Sequence, residues 1–220
     1  MYIGHYAVAL ALRKVDKNTS LGLLFLAVQL ADIIFFPLVL LGVERFAIIE
    51  NFTDSTHFEL IYMPYSHSLF STLMATTVVY FIIRFVLRQN KLTALVVGIA
   101  ILSHWILDLI VHTPDLPLFA DTSYKFGFGL WHSALATYIL EMIILFAGFW
   151  IYLRSVKNIN SFNKYGMIIF VLMLLLINAI NIFGPLVNNS IEQFSITSFS
   201  LYLIFAAVAH WLDRKHVIIK

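Results

Sequence analysis

Long apolar runs alternate with short polar segments along this chain, and the runs are of membrane-crossing size. A helix needs about 20 apolar residues to cross a bilayer. Residues 21–43, 66–87, 92–111, 128–153, 165–187 and 196–212 meet that length or come near it, the last with only 17 residues. A seventh apolar piece, residues 2–12, is too short to span. Its basic residues Arg13, Lys14 and Lys17 follow the apolar run, whereas a secretory signal places them before it. The pattern therefore predicts a retained N-terminal half-helix that dips into the protein and is covered there by other helices. No linker or low-complexity tract divides the chain, so residues 1–220 are expected to form one domain.

Composition sharpens the class. The chain is 61% hydrophobic and 12% charged, against about 45–50% and about 25% in an ordinary soluble domain. A mean hydropathy of +0.90 leaves too little polar surface to face water all round. The predicted fold is an all-α integral membrane protein with six transmembrane helices plus the short N-terminal half-helix. A net charge of +2 does not suit nucleic acid as a partner. The absence of cysteine removes disulfides, thiolate ligands and cysteine nucleophiles.

The basic residues predict an orientation. Crossing the membrane alternately, one side receives Arg13, Lys14, Lys17, Arg84, Arg88, Lys91, Arg154, Lys157, Lys164, Arg214, Lys215 and Lys220, and the other only Arg45 and Lys125. Positive charge collects on the cytoplasmic side, so both termini are expected there, in a multi-pass protein of the cell (inner) membrane. Glu44, Glu50, Asp54, Glu59, Asp115, Asp121 and Glu192 then fall outside. The longest outer loop, about residues 44–65, is a candidate cap.

Ionisable groups at membrane depth cost about 2.5–3.5 kcal/mol each on insertion scales and mark function. The candidates are His5 in the half-helix, Asp32 with the neutral but polar Gln29 in the first span, His67 opening the second, His104, Asp108 and His112 in the third, and His132 and Glu141 in the fourth. His104, Asp108 and His112 recur every four residues, so they line one helical stripe. An imidazole and a carboxylate one turn apart can hold the same cation. At about 1.5 Å per residue from the basic ends, Asp32, His104, Asp108 and Glu141 share a band about 20–25 Å up, with His67 and His112 near about 31 Å. His5 falls at about 12 Å and is the outlier. Plainer roles compete: His67, His112 and His132 as interfacial anchors, Asp32 and Glu141 as proton-relay carboxylates, Asn178 and Asn181 as interhelical hydrogen-bonding pairs. His57, His210 and His216 are read as solvated.

GHYAV near the start, an aspartate in the first span, YSHS opening the second and SHWILD in the third resemble the bacterial membrane-bound metal-dependent hydrolases. The resemblance covers most of residues 1–155. The order of these residues also looks like that of the zinc-dependent phospholipase C and fungal single-strand nuclease group, where such ligands gather zinc ions that cleave phosphodiesters. Carried over by position, the resemblance implies His5, Asp32, His67, His104 and Asp108 as metal ligands. Two departures stand out. His132 and Glu141 are nine residues apart, about 180° around a helix, which points to one or two ions instead of three. Ala31, not proline, precedes Asp32, with Pro37 five residues later as the expected kink that opens the site.

Histidine and carboxylate ligands without sulfur favour zinc, with manganese or iron as alternatives. His112 and Glu141 are the candidates for proton transfer or for orienting the ligands, with Asp115 beside them. The expected activity is metal-dependent hydrolysis of a phosphoester of a membrane lipid or lipid-linked substrate at the outer leaflet. The competing class is a metal-ion or proton transporter, for which His210, Trp211 and Asp213 in the last span would echo His104, Trp105 and Asp108 in an inverted repeat.

Overall fold

The computed structural model describes residues 1–121, 124–156, 161–186 and 190–213. Lys157, Arg214, Lys215, His216 and Lys220, used in the charge count or among the histidines, lie outside them. Helices account for 69% of the chain, and the strands among the described residues are four short pieces in two hairpins, so the fold is all-α.

The short apolar start forms α1 (Gly4–Val15), about 18 Å long. Its residues are buried on nearly every side, and it packs against α2, α5 and α6. The expected half-helix is thus the central element of the bundle. The run at residues 21–43 divides into α2 (Leu21–Val28), capped by the Ser20 hydroxyl, and α3 (Leu30–Leu40), with a 55° bend between them. The bend falls at Gln29, while Pro37 sits inside a continuous α3. Pro37 was the expected kink; the observed break lies where the Val28 carbonyl meets a side chain of another helix, a recognised cause of bending.

The next run gives α4 (Leu69–Phe81), continued by a π-helical turn at Ile82–Val86. Then come α5 (Lys91–Val111), α6 (Ala134–Ser155), α7 (Ser161–Phe183) and α8 (Ile191–Asp213). Among the described residues five helices, counting α4 with its π turn, are long and apolar enough to cross a membrane, and six if the bent pair α2–α3 makes one span. The outer faces remain apolar: Phe70, Leu73, Met74, Val78 and Phe81 on α4 all point away from the bundle.

Between α3 and α4, strands β1 (Arg45–Ile48) and β2 (Phe58–Tyr62) pair antiparallel, Phe46 opposite Leu60. A second small hairpin joins β3 (Leu116–Pro117) to β4 (Lys125–Phe126) after α5.

Two glycines set how closely the helices approach. A Cβ on Gly148 of α6 would lie 2.2 Å from the Ala7 carbonyl oxygen of α1, and one on Gly22 of α2 would meet the Ala206 carbonyl of α8 at 2.7 Å. Small residues let helix backbones pack this tightly. Gly148→Ala gains up to about 1 kcal/mol of helix propensity, but backbone cannot yield as a flexible side chain would, and overpacking costs about 1–3 kcal/mol. The variant should melt below the wild type in detergent. An unchanged melting midpoint would refute this close packing.

Candidate metal centre

The centre is assembled from α1, the α2–α3 bend, the start of α4 and the end of α5. His5 enters on the first turn of α1 and its ring stacks on that of His104, with centroids 4.0 Å apart. The depth estimate from Arg13 sets His5 apart, whereas α1 places it against the α5 stripe. Asp32 lies on the first turn of α3, just after the bend, where a helix N-terminus favours an anion. His67 precedes the Ser68 cap of α4, and its Nε2 is 3.3 Å from Asp32 Oδ1. On α5, Asp108 Oδ2 is 2.9 Å from His104 Nε2, and Oδ1 is 3.1 Å from His5 Nε2 and 3.7 Å from His112 Nε2. His5, His104 and Asp108 form one group of potential ligands, and Asp32, His67 and His104 another.

The outer nitrogens of three histidines are held from behind. His104 Nδ1 donates to the Val28 carbonyl at the α2–α3 break, 2.7 Å away. His112 Nδ1 donates to Asp115 Oδ1 at 2.8 Å. His67 Nδ1 is 2.7 Å from Ser66 Oγ, whose hydroxyl donates to Glu44. A neutral imidazole has one N–H, so each Nε2 is left with a lone pair directed inward. His104 Nε2 has no hydrogen-bond partner among the described residues although Asp108 Oδ2 is 2.9 Å away. An N–H proton or a bound cation between these two atoms would satisfy both. Since Val28 occupies Nδ1 of His104, Nε2 is its one free ligand atom, and the two groups that share it make one continuous site.

Glu141 is placed differently. Its carboxylate accepts the backbone N–H groups of Tyr2, Ile3 and Gly4, so it fastens the start of α1 to α6. The Met1 amino group donates to Asp108 alongside. His132 is exposed and stands apart, whereas its neighbour Trp131 covers the His112 ring at 4.0 Å.

A cavity of about 510 Å³ adjoins the centre. Asp32, His67, Asp108, His112 and Glu141 line it, and Phe35, Phe36, Phe46, Phe58 and Phe194 give it an aromatic wall. His5 and His104 do not reach its wall. The β1–β2 hairpin covers this space through Phe46, Ile48, Phe58 and Leu60, so the long loop does cap something. Asn178 and Asn181 also line it; Asn178 is fully buried, and its amide has no hydrogen-bond partner among the described residues, which does not fit interhelical pairing.

Sequence reasoning missed Glu44, Ser66 and Trp131, and read His57 as solvated although it lines the cavity. Ser66 is adjacent to His67 in the YSHS motif and offered a signal; Glu44 carried none beyond its place in the capping loop. Compared with known proteins, the chain matches no family model, no curated protein and no solved structure.

Proposed function

We propose that this protein is an integral membrane hydrolase that uses a divalent metal, zinc first, to cleave a phosphoester of a lipid or lipid-linked substrate at the outer leaflet. The observation that carries the reading is the inward Nε2 of His67, His104 and His112, each with Nδ1 fastened from behind, facing the carboxylates of Asp32 and Asp108. That is how protein metal ligands are oriented. The ligand order shared with the bacterial membrane-bound metal-dependent hydrolases supports the same reading. Apolar outer faces and five or six sufficiently long helices support membrane insertion.

His5, Asp32, His67, His104 and Asp108 would hold the ion. When bound, it lowers the pKa of a coordinated water toward about 7 and polarises a phosphoryl oxygen. His112, backed by Asp115, presents Nε2 toward Asp108 and is the group suited to accept a proton at the cavity wall. Glu141 keeps α1, and with it His5, in register. The aromatic wall accepts the hydrocarbon portion of an amphiphile and excludes water from the centre. At about 510 Å³ the cavity suits a headgroup with part of one chain.

The transporter reading draws less support. Asp213, the counterpart of Asp108 in the proposed repeat, is paired with Arg13. The stretches of α1 and α2 between that pair and the centre present buried Tyr6, Leu10, Leu24 and Phe25 in place of a polar path.

The test is elemental analysis of the purified protein, followed by hydrolysis of a panel of phospholipids and lipid diphosphates with zinc or manganese. About one or two ions per chain and metal-dependent phosphoester cleavage are expected. Metal or proton flux into proteoliposomes with no hydrolysis product would replace the enzyme with the transporter.

A further inference from the structure

Glu44 is a fully buried carboxylate, and among the described residues no cation pairs with it. It stands just before β1, and its partners lie just after β2. Oε1 accepts the backbone N–H of Tyr65 at 2.8 Å and of Ser66 at 3.0 Å, which closes the neck of the β1–β2 excursion. Oε2 accepts the Ser66 hydroxyl at 2.6 Å. A carboxylate can only accept, and a serine has one proton to give. With that proton on the Glu44 side, Ser66 Oγ, 2.7 Å from His67 Nδ1, must accept from Nδ1–H. The lone pair of His67 is then on Nε2, the nitrogen 3.3 Å from Asp32.

We infer that Glu44 is a positioning residue for the metal centre: acting through Ser66, it fixes His67 in the Nδ1–H tautomer and leaves Nε2 free as a ligand. The inference rests on the metal reading given above. Closing the neck needs only the two backbone bonds to Oε1. The second oxygen and the Ser66 hydroxyl add little to that closure, but they set the direction of every proton along the chain to His67. His104 and His112 reach the same state through the Val28 carbonyl and Asp115.

Glu44→Gln tests this with almost no change of shape. Its carbonyl oxygen can keep the bonds from Tyr65 and Ser66 N–H, but its amide nitrogen is a donor and faces Ser66 Oγ. Ser66, no longer needed as a donor on that side, is then free to turn its own proton to His67 Nδ1, which favours the imidazole proton on Nε2 and blocks the ligand atom. In the metal-free full-length protein in detergent micelles, nitrogen NMR of labelled histidine should find His67 as Nδ1–H in the wild type and Nε2–H in the variant, its signal assigned with His67→Asn. Zinc affinity by chelator competition should fall about 10–100-fold, the usual loss when a ligand's supporting partner is removed. Ser66→Ala breaks the link while Glu44 keeps its two backbone bonds; it should also lose zinc affinity, and it decides the matter if Glu44→Gln does not fold. Wild-type zinc affinity in a folded variant, or a His67 tautomer unmoved by Glu44→Gln, overturns the inference. A tautomer switch in a protein whose wild type takes up no zinc would sustain the relay and remove the metal reading instead.

Discussion

Replacing Asp108 with alanine is expected to remove metal binding and turnover together, with loss of substrate affinity much smaller. Asp108 is the carboxylate on which the centre converges. Its two oxygens lie within 3.1 Å of His5 and His104 and within 3.7 Å of His112. No other buried carboxylate among the described residues touches more than one histidine of the centre. Loss of a supporting group costs about 10–100-fold in metal affinity, so loss of this shared ligand should exceed about 100-fold. Asp108→Asn keeps the volume but substitutes a donor for one of the two acceptors and should fail almost as badly. Alanine at position 32 should cost less, because Asp32 has only His67 within 4 Å and faces His104 at longer range. Elemental analysis and chelator competition on the folded variants read the effect. An Asp108→Ala protein that retains wild-type zinc stoichiometry and affinity would refute the centre described here.

The second large effect lies at the opposite end of α1 and concerns stability. Arg13 Nε donates to Asp213 Oδ2 at 2.8 Å, and the Tyr152 hydroxyl donates to Oδ1 at 3.2 Å, with Arg13 only 6% and Asp213 only 3% exposed. A buried pair of this kind adds little net stability, yet removing one partner strands the other charge away from water, at about 3–5 kcal/mol. Asp213→Ala should therefore unfold far more readily in a detergent–denaturant titration, whereas the double variant Arg13→Met, Asp213→Leu should recover most of the loss. Metal affinity in the folded fraction should hold, since His5 and Arg13 are about 12 Å apart along the helix. If Asp213→Ala matched the wild type within about 0.5 kcal/mol, the size of an ordinary surface substitution, the pair would have no structural weight.

Much of the helical framework, and part of the centre, can be read from the sequence because those features are periodic. Apolar runs of sufficient length locate the helices, and a repeat of four residues puts His104, Asp108 and His112 on one stripe whatever surrounds α5. Counting rise from the basic clusters also brings Asp32 to the depth of His104, since helical rise is nearly constant.

What packing alone decides is of another kind. The same count from Arg13 misplaces His5, because it takes Arg13 for a solvated surface marker. In the structure Arg13 is buried against Asp213, 200 residues away in the chain. Glu44 is assigned by charge and chain order to an aqueous loop, yet hairpin closure turns its side chain inward onto Ser66. Pro37 is a local signal for a kink, but the helix breaks at Gln29, which the apolar run marks only as a polar residue and not as a bend. There His104 of α5 meets the Val28 carbonyl. Periodicity and depth depend on the geometry of one helix and are written into its sequence. The outward anchoring of the histidines, the break that frees a carbonyl and the hairpin over the cavity depend on how separate helices meet, and only the tertiary structure settles that.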